Sequence, residues 1–459
     1  MKKLLISLTI IALILLAIPL AGNKVIESAL NNRVEVLTSY GLKVKKSNTD
    51  SSYLSTQKSY IFVVEDSMKF VTYLSQFSDT QLPPYVLALL DGAEVTIDLK
   101  YSNIALDDKV SIDIYPNALP SKLAKEIKSE DIAFYTYINK LLQDKAIVYH
   151  LNYDVLNDDF DGYIKDIDET HTLKDGSKLL LKLKTANFKG TGMLIAPDTL
   201  SLDIKEFKSS IQTNQEVMNV NLTDFSSSSV FESKTTYATT AKFGSVEWSV
   251  KDNRGADVNL DMKNLLFDFS SNTQSVKADF FSKLSFDAMS ITTATTLIDS
   301  TKFNYDVAIR GVSKDGYEQL MELISQAKIN QTPELQIEIE KAGYELLARG
   351  LVIDIADLSI KEVSTAKTKN LGGMSLKSKL EFKQDRDLIK KIEKNPVALM
   401  ETMDLDLLFK ISKEMYTKLT MASPILIMAQ NFAKEKDGIV MFDIKLNDSK
   451  LSVNGREIK

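Results

Sequence analysis

A run of acidic residues from Asn157 to Asp168 has the spacing of a calcium-binding loop. Its oxygen-bearing side chains fall at the first, third, fifth and twelfth positions of the loop pattern: Asn157, Asp159, Asp161 and Asp168. Gly162 falls at the turn position, but Lys165 occupies the place of a ligand. The pattern also requires a helix on each side, whereas residues 147–155 alternate as a strand does. We therefore interpret the run as an acidic hairpin turn followed by a strand, with the calcium site as the weaker alternative.

Histidine and cysteine, the other common metal ligands, are almost absent. The chain has no cysteine and two histidines, which excludes disulfides, thiol catalysis and cysteine-ligated zinc or iron–sulfur centres. His150 lies on the polar side of a strand pattern and His171 in a turn-like polar stretch, without the spacing of a zinc site. We therefore predict no metal centre beyond the weak calcium candidate, and no cofactor.

Motifs that position a nucleophile or a phosphate are also missing from the sequence. It contains no Gly-x-Ser-x-Gly nucleophile turn, no Gly-x-x-x-x-Gly-Lys-Ser/Thr phosphate loop and no Gly-x-Gly-x-x-Gly dinucleotide motif. Trp248 and the phenylalanines that follow it favour packing on a sheet over binding of a sugar or a base. We therefore predict no catalytic residues, and an enzyme is the least favoured class of function.

The N-terminus has the pattern of an export signal. Lys2 and Lys3 precede an apolar run from Leu4 to Ala21 that includes Leu13 and Leu16, and positive charges before such a run stay in the cytoplasm. The run is just long enough to span a membrane, and no good cleavage site follows it. We predict an uncleaved single-pass anchor in the bacterial inner membrane, with the C-terminal body in the periplasm. The alternative is a cleaved signal and a soluble periplasmic protein.

The charge of the predicted exported part argues against nucleic acid as a partner. Without Lys2 and Lys3, 54 of the 56 basic residues remain against 62 acidic ones, which gives a net charge of −8. An acidic protein is repelled by nucleic acid and by anionic lipid surfaces at long range. The partners that we predict are the inner membrane, through the N-terminal helix, and either an envelope protein or a lipid held by apolar contact.

The elements that would position any site are mostly strands. Helical spacing predicts helices at Asn23–Tyr40, Ser67–Phe77 and Pro83–Leu90. After these the period is two, which is typical of strands with one apolar and one polar face. The predicted strands are short; examples are Leu200–Ile204, Val246–Val250, Val258–Met262, Leu265–Phe269 and Phe303–Ile309.

Helices return in the last third of the chain. Asp315–Lys328 has one apolar side, and Thr332 caps a second helix that begins at Pro333 and ends at Gly350. A third helical region, Ser412–Lys434, is kinked at its proline. Its apolar segment, Pro424–Met428, favours an ordinary core helix, and the alternative is a lid or wall for a groove.

The predicted fold is mainly β with α (α+β). It is an elongated, twisted antiparallel β-sheet meander with a minority of packed helices, preceded by one N-terminal transmembrane or signal helix. We predict a signal anchor at 1–22, a helix-rich membrane-proximal region at 23–92, and a β-rich periplasmic body at 93–459 with helices near 315–349 and 412–434.

Several segments occur in an order that is also found in a known family. They are the anchor followed by Asn23–Leu37, Tyr40–Val44 and Ser51–Thr56, the hairpin Phe160–Ile164, and the ending Met421–Lys434, Ile439–Leu446 and Leu451–Glu457. On these segments the chain resembles the YdgA-like family of uncharacterised bacterial proteins, which have an N-terminal membrane segment and a large periplasmic body. The resemblance implies an anchor and a β-rich body, and it implies no catalytic residue or cofactor.

Two classes of function fit these sequence features. The first is a non-catalytic scaffold or adaptor in the bacterial cell envelope, anchored in the inner membrane. The alternative is a module that binds an apolar ligand, such as a lipid, in a groove of its curved sheet. More than a dozen strand patterns each offer an apolar face, and few helices are available to cover them. A sheet that packs on itself as a sandwich or closes into a barrel would cover these faces without a ligand. An enzyme of unknown type is the second and less favoured alternative.

Overall fold

The computed structural model describes residues 24–52, 55–75, 87, 90–102, 109–154, 156–193, 196–233, 235–255, 257–329, 332–395, 397–422 and 429–458. Strands make up 58% of the chain and form antiparallel sheet, which confirms the mainly β prediction. The predicted anchor, most of the helix predicted at Pro83–Leu90 and the apolar segment Pro424–Met428 lie outside the described residues. Within the described ranges, no helix is long and apolar enough to cross a membrane.

Contacts divide the chain into two compact units. The first contains the described residues up to Val230 together with Ser249–Arg254. The second contains Phe231–Trp248 and the described residues from Gly255 onward. Two of the three boundaries fall within strands and the third, after Arg254, falls in a turn. None lies in a linker rich in proline, glycine or serine, so no change of composition marks the division in the sequence.

The first unit contains four of the described helices and ten strands. The helices are α1 (Lys24–Ser39), α2 (Ser67–Ser75), α3 (Ser121–Glu130) and α4 (Ile132–Gln143). The strands are β1 (Leu42–Ser51), β2 (Ser55–Val64), β3 (Glu94–Ser102), β4 (Lys109–Ala118), β5 (Tyr149–Asp154), β6 (Asp159–Ile164), β7 (Ile167–Thr172), β8 (Lys178–Met193), β9 (Ala196–Gln212) and β10 (Glu216–Phe231). The region 23–92 therefore holds the hairpin β1–β2 in addition to helices.

The strands of this unit form a meander. Each strand from β1 to β5 pairs antiparallel with the next one in sequence. Along one edge, β8 pairs with both β6 and β7; along its other edge it pairs with β9, which pairs with β10. Period-two alternation thus predicted the type of sheet correctly.

The main core of the first unit lies between this sheet and the helices α1 and α2. Leu99, Ile112 and Leu151 are each at most 2% exposed, and the register places them side by side on β3, β4 and β5. Leu37 of α1 and Phe70 of α2 belong to the same buried cluster. Burial of each such side chain contributes about 1.5–3 kcal/mol to stability.

Two glycines of this sheet are covered by phenylalanine rings. Gly162 on β6 lies opposite Phe188 on β8, and Phe160 lies opposite Gly190. A Cβ atom built on Gly162 would be 2.2 Å from Cζ of Phe188, and one built on Gly190 would be 2.4 Å from Cζ of Phe160. The rings therefore occupy the space that a side chain would need at either glycine.

The helices α3 and α4 form a second core that was not predicted from the sequence. Its buried residues come from both helices, from the loop before α3, and from β8 and the turn before it: Leu119, Leu123, Ile127, Phe134, Ile138, Leu142, Leu173 and Leu179. Asp131 separates the helices, and its carboxylate accepts hydrogen bonds from the backbone N–H groups of Phe134 (2.9 Å) and Lys174 (2.8 Å). These hydrogen bonds hold the pKa of Asp131 below its ordinary value, and the bond from Phe134 has the largest effect. A lowered pKa is expected for a carboxylate that caps a helix.

The second unit contains the remaining elements. The helices are α5 (Lys314–Ile329), α6 (Pro333–Ala348), α7 (Leu388–Lys394), α8 (Ala398–Glu401) and α9 (Lys413–Ala422), and Gln430–Phe432 forms a 3₁₀ turn. The strands are β11 (Tyr237–Asp252), β12 (Val258–Asn272), β13 (Lys277–Thr293), β14 (Leu297–Ser313), β15 (Leu351–Thr365), β16 (Met374–Phe382), β17 (Met403–Ser412), β18 (Lys434–Lys436), β19 (Ile439–Asn447), β20 (Lys450–Val453) and β21 (Arg456–Ile458).

The strands β12 to β17 pair in sequence order, and β17 then pairs with β19. β19 also pairs with β18 and β20, and β20 with β21. The predicted helix at Pro333 is confirmed, with the Thr332 side chain accepting from the N–H of Leu335 at 3.2 Å. The prediction of one helical region over Ser412–Lys434 is wrong at its end, because Lys434 is a strand residue that pairs with β19; residues 423–428 lie outside the described ranges.

The described helices cover the two ends of this unit's sheet face. At one end, Phe382 and Leu351 are buried with contributions from α5, α6 and α8. At the other end, Ile411 and Phe442 are buried under Met415 and Tyr416 of α9. The strand residues between the two clusters belong to neither of them.

The long strands differ from the predicted short ones because their apolar alternation changes phase once near the middle. In β12 the apolar residues are Leu260 and Met262 before the change, and Leu265 and Phe267 after it. The predicted strands Val258–Met262 and Leu265–Phe269 are therefore two halves of one strand. In every second strand a residue at the change has a left-handed backbone, with φ between 48° and 53°: Thr185, Asp224, Asn264 and Lys302.

Candidate functional site

An uninterrupted row of aliphatic and aromatic side chains crosses seven strands of the second unit. The register pairs them one after another from β12 to β19: Phe267, Leu284, Tyr305, Leu358, Leu376, Phe409 and Phe442. Directly paired residues of an antiparallel sheet point to the same face. The row is therefore one continuous apolar line on one face.

Two further rows run beside it on the same face. One contains Phe286, Phe303, Ile360, Met374, Ile411 and Val440, and the other contains Phe269, Ser282, Val307, Ile355, Ser378, Leu407 and Ile444. The three rows include no charged side chain, and the only polar ones are Tyr305, Ser282 and Ser378. Such a face attracts apolar groups and offers little to an ion.

The middle of these rows is not buried. We call it the apolar strip and define it by ten residues that belong to no buried cluster: Phe267, Phe269, Leu284, Phe303, Tyr305, Val307, Ile355, Leu358, Leu376 and Leu407. All are half-buried except Phe267, which is 37% exposed. Neighbouring Met374 is 39% exposed. In the described part of the chain, helix residues complete the clusters at the ends of the face but not this strip.

Aromatic rings extend one side of the apolar strip. Phe267 and Phe269 lie with their ring centroids 6.5 Å apart, and Tyr237 lies 5.7 Å from Phe269. Phe231 follows at 6.2 Å from Tyr237. Rings at these separations make favourable offset or tilted contacts, which restrict the movement of these side chains.

The size of the apolar strip fits an extended hydrocarbon chain. Strands in a sheet lie about 4.8 Å apart, so the five spacings from β12 to β17 measure about 24 Å. One leaflet of a bilayer contributes about 15 Å of hydrocarbon. A chain of that length can therefore lie along one row and contact side chains from several successive strands.

The residues of the calcium-loop candidate are spread over a turn and two strands. Asn157 lies in the β5–β6 turn, Asp159 and Asp161 are exposed on β6, and Asp168 lies on β7. Gly162, placed at the loop's turn by its spacing, is a residue of β6 instead. Asn157 donates to Asp154 at 3.2 Å, and Asn152 donates to Asp161 at 3.3 Å. Within the described ranges, no cluster of three or more histidine or acidic residues could hold a metal ion.

The two histidines lie on different strands and have aromatic neighbours. His150 on β5 forms a hydrogen bond with Asp113 (2.7 Å) and stacks on Tyr163. His171 lies on β7 and not in a turn, so that prediction is wrong. Its ring stacks on Tyr137 at 4.1 Å. Burial, followed by the hydrogen bond that its hydroxyl donates to Glu169 (2.7 Å), raises the pKa of Tyr137.

The apolar strip was not identified from the sequence, although a signal for it exists. The alternation in β12 to β15 shows which face of each half-strand is apolar. The small number of helices indicates that part of this apolar face is not covered by helices. The position of the strip, however, depends on the register, which brings Phe267 and Leu376 into one row across more than 100 residues of sequence. Sequence spacing alone does not give that register.

The chain matches no family model, no curated protein and no solved structure. The resemblance to the YdgA-like family therefore stays a prediction. The strands of the second unit form an apolar face of defined position and size.

Proposed function

We propose that the protein is a non-catalytic binding module that holds an apolar ligand, such as a lipid acyl chain, on the apolar strip. The observation that carries the proposal is the uninterrupted row from Phe267 to Phe442, whose middle belongs to no buried cluster. Exposed apolar patches larger than a few hundred Å² usually mark a binding site.

The energetic argument rests on the surface that the ligand would remove from water. Each buried CH₂ group contributes about 0.8 kcal/mol, so a chain that covers several strands gains enough to be held without any polar contact. The apolar strip has no charged side chain to desolvate. The proposal therefore favours hydrocarbon over a polar small molecule.

The scaffold or adaptor function is the second candidate. An apolar face of a protein partner could cover the same strip, and the chain would then act in an envelope assembly without a small ligand. The two candidates differ in one respect: only the first predicts saturable binding of a free hydrocarbon chain by the isolated protein.

The proposed location follows from the sequence and supports either candidate. We propose that Leu4–Ala21 anchors the chain in the inner membrane and that the body lies in the periplasm. The protein should then stay in the membrane pellet after a carbonate wash with its N-terminus intact. A soluble product that begins near Gly22 would contradict the anchor.

Two neighbouring leucines of β17 allow a matched test of the apolar strip. Leu407 points to the strip face, in register with Ser378, whereas Leu408 alternates to the opposite face, in register with Lys377. Both are half-buried. We expect Leu407→Gln to weaken binding of a fluorescent fatty acid by about 1–1.4 kcal/mol, or roughly five- to tenfold.

Leu408→Gln is the control, since it places the same substitution one residue away. We expect its affinity for the fatty acid to stay within about twofold of the unmodified chain. Equal losses in both variants, measured on samples with unchanged circular dichroism, would show that the ligand does not lie on the strip.

A further inference from the structure

The sheet of the second unit has a cavity of about 540 Å³ beside the apolar strip. Asn304, Ser359, Ser375 and Lys410 form one row across β14 to β17 and line this cavity. Ser359 follows Leu358, and Ser375 precedes Leu376, so the row alternates to the face that the apolar strip does not occupy. Ile360, Met374 and Ile411 of the second apolar row also line the cavity, whereas none of the ten residues of the strip does.

Three lysines line the cavity, and no acidic residue does. They are Lys302 on β14, Lys361 on β15 and Lys410 on β17. The residues on either side of Lys302 pair with those on either side of Lys361, which places the two lysines opposite each other. Like charges opposite each other, with Cβ atoms about 5 Å apart, destabilise a sheet.

Several other lysines of the strands have a carboxylate as neighbour. Lys182 pairs with Glu206 at 2.9 Å, Lys283 with Asp306 at 3.9 Å and Lys445 with Asp406 at 3.8 Å. Among the described residues, no ion pair includes Lys302, Lys361 or Lys410. Three uncompensated lysines around one cavity are unexpected in a chain of net charge −6, and an anion would supply the missing charge.

The backbone at Lys302 gives a second, independent observation. Its φ is 48°, a left-handed conformation in which asparagine is favoured and lysine is uncommon. Asn264 occupies the corresponding position of β12 and donates to Asp287 at 2.8 Å. Lys302 is less suited than asparagine to this left-handed conformation, but its side chain places an ammonium group at the cavity.

We propose that this cavity binds a phosphate group. Lysine ammonium groups, the hydroxyls of Ser359 and Ser375 and the amide of Asn304 are donors to a tetrahedral oxyanion. Ile439, which is 44% exposed, and Met374 contribute apolar surface to the lining. A phosphate monoester that carries an apolar part fits this combination, whether it is free or the headgroup of a lipid.

The test compares two triple variants of the full chain that change net charge equally. The first is Lys302→Asn, Lys361→Gln and Lys410→Gln, in which asparagine suits the left-handed position. The control is Lys283→Gln, Lys379→Gln and Lys445→Gln, which removes three exposed lysines with carboxylate neighbours in the same unit. The probes are inorganic phosphate, by calorimetric titration, and phosphatidylcholine vesicles with and without phosphatidic acid, by flotation.

We expect saturable binding by the unmodified chain, and roughly tenfold or greater loss in the first variant but not in the control. Phosphate should also raise the unfolding temperature of the unmodified chain and the control, but not that of the first variant. Binding of inorganic phosphate supports a site for phosphate groups in general, and binding only of phosphatidic acid vesicles supports a lipid headgroup. Binding of neither probe, or equal loss in both variants, overturns the proposal. Because fatty-acid binding on the apolar strip is measured separately, this result is distinguished from failure of the proposed function.

Discussion

Replacing Gly162 by alanine is expected to destabilise the first unit by about 3 kcal/mol. The new Cβ atom would lie 2.1 Å from the carbonyl oxygen of His150 and 2.2 Å from Cζ of Phe188. One of these contacts is with backbone, so relief requires β5 and β6 to separate and the Phe188 ring to leave the main core. Urea-induced unfolding followed by circular dichroism measures the loss.

Gly343→Ala on α6 is the control for this substitution. A Cβ atom there would have nothing within 4 Å, and alanine is favoured over glycine inside a helix by about 0.5–1 kcal/mol. A slight stabilisation is therefore expected. The loss of stability caused by Gly162→Ala should also be the same with calcium and with a chelator, because this glycine allows the sheet to pack and is not part of a calcium loop. A loss below about 1 kcal/mol, or one that calcium reverses, would contradict this account.

Ser378→Trp is expected to block the apolar strip. Ser378 lies on β16 between Ile355 and Leu407 in the third row, and it is one of the two serines in the three rows. A tryptophan there would displace about three CH₂ groups of a bound chain, at about 0.8 kcal/mol each. Affinity for a fluorescent fatty acid should fall roughly 50-fold.

Lys377→Trp places the same ring on the opposite face, one residue earlier in β16. Affinity should stay within about threefold of the unmodified chain, because this residue is in register with Leu408 and not with the strip. Stability of both variants is measured by thermal unfolding, so that a folding defect is recognised. Retained binding in the Ser378→Trp variant would place the ligand elsewhere.

The sequence predicted the type of fold because alternation is a local property. Segments such as Tyr149–Tyr153 show one apolar and one polar face without any knowledge of their partners. The cap at Thr332 and the proline at the start of α6 are equally local, and both predictions are confirmed. Local signals of this kind suffice for an antiparallel sheet with a few helices.

Strand length was predicted poorly because strict period two fails at the change of phase. A strand such as β12 contains Lys263 and Asn264 at that point, and two adjacent polar residues resemble the end of a strand. The left-handed backbone of Asn264 lets the strand continue, which a pattern of alternating residues does not reveal.

The helices α3 and α4 were missed although their signal is present. Leu123 and Ile127 are four residues apart, as are Phe134 and Ile138, and Asp131 is a good N-cap. The lysine cavity, by contrast, had no signal in the sequence. Lys302, Lys361 and Lys410 are far apart along the chain, and only the pairing of β14 to β17 brings them to one cavity.

The most direct test of the central claim is to determine what the folded protein carries. The full chain is purified after mild extraction, examined by native mass spectrometry and extracted with organic solvent, and then titrated with a fluorescent fatty acid. We predict that the unmodified chain carries a bound apolar molecule, seen as an additional mass that dissociates from the protein. The Ser378→Trp variant should lack this additional mass. The unmodified chain should also bind the fatty acid saturably. A well-folded sample with the mass of the chain alone and no saturable binding would contradict the binding function and leave the scaffold candidate.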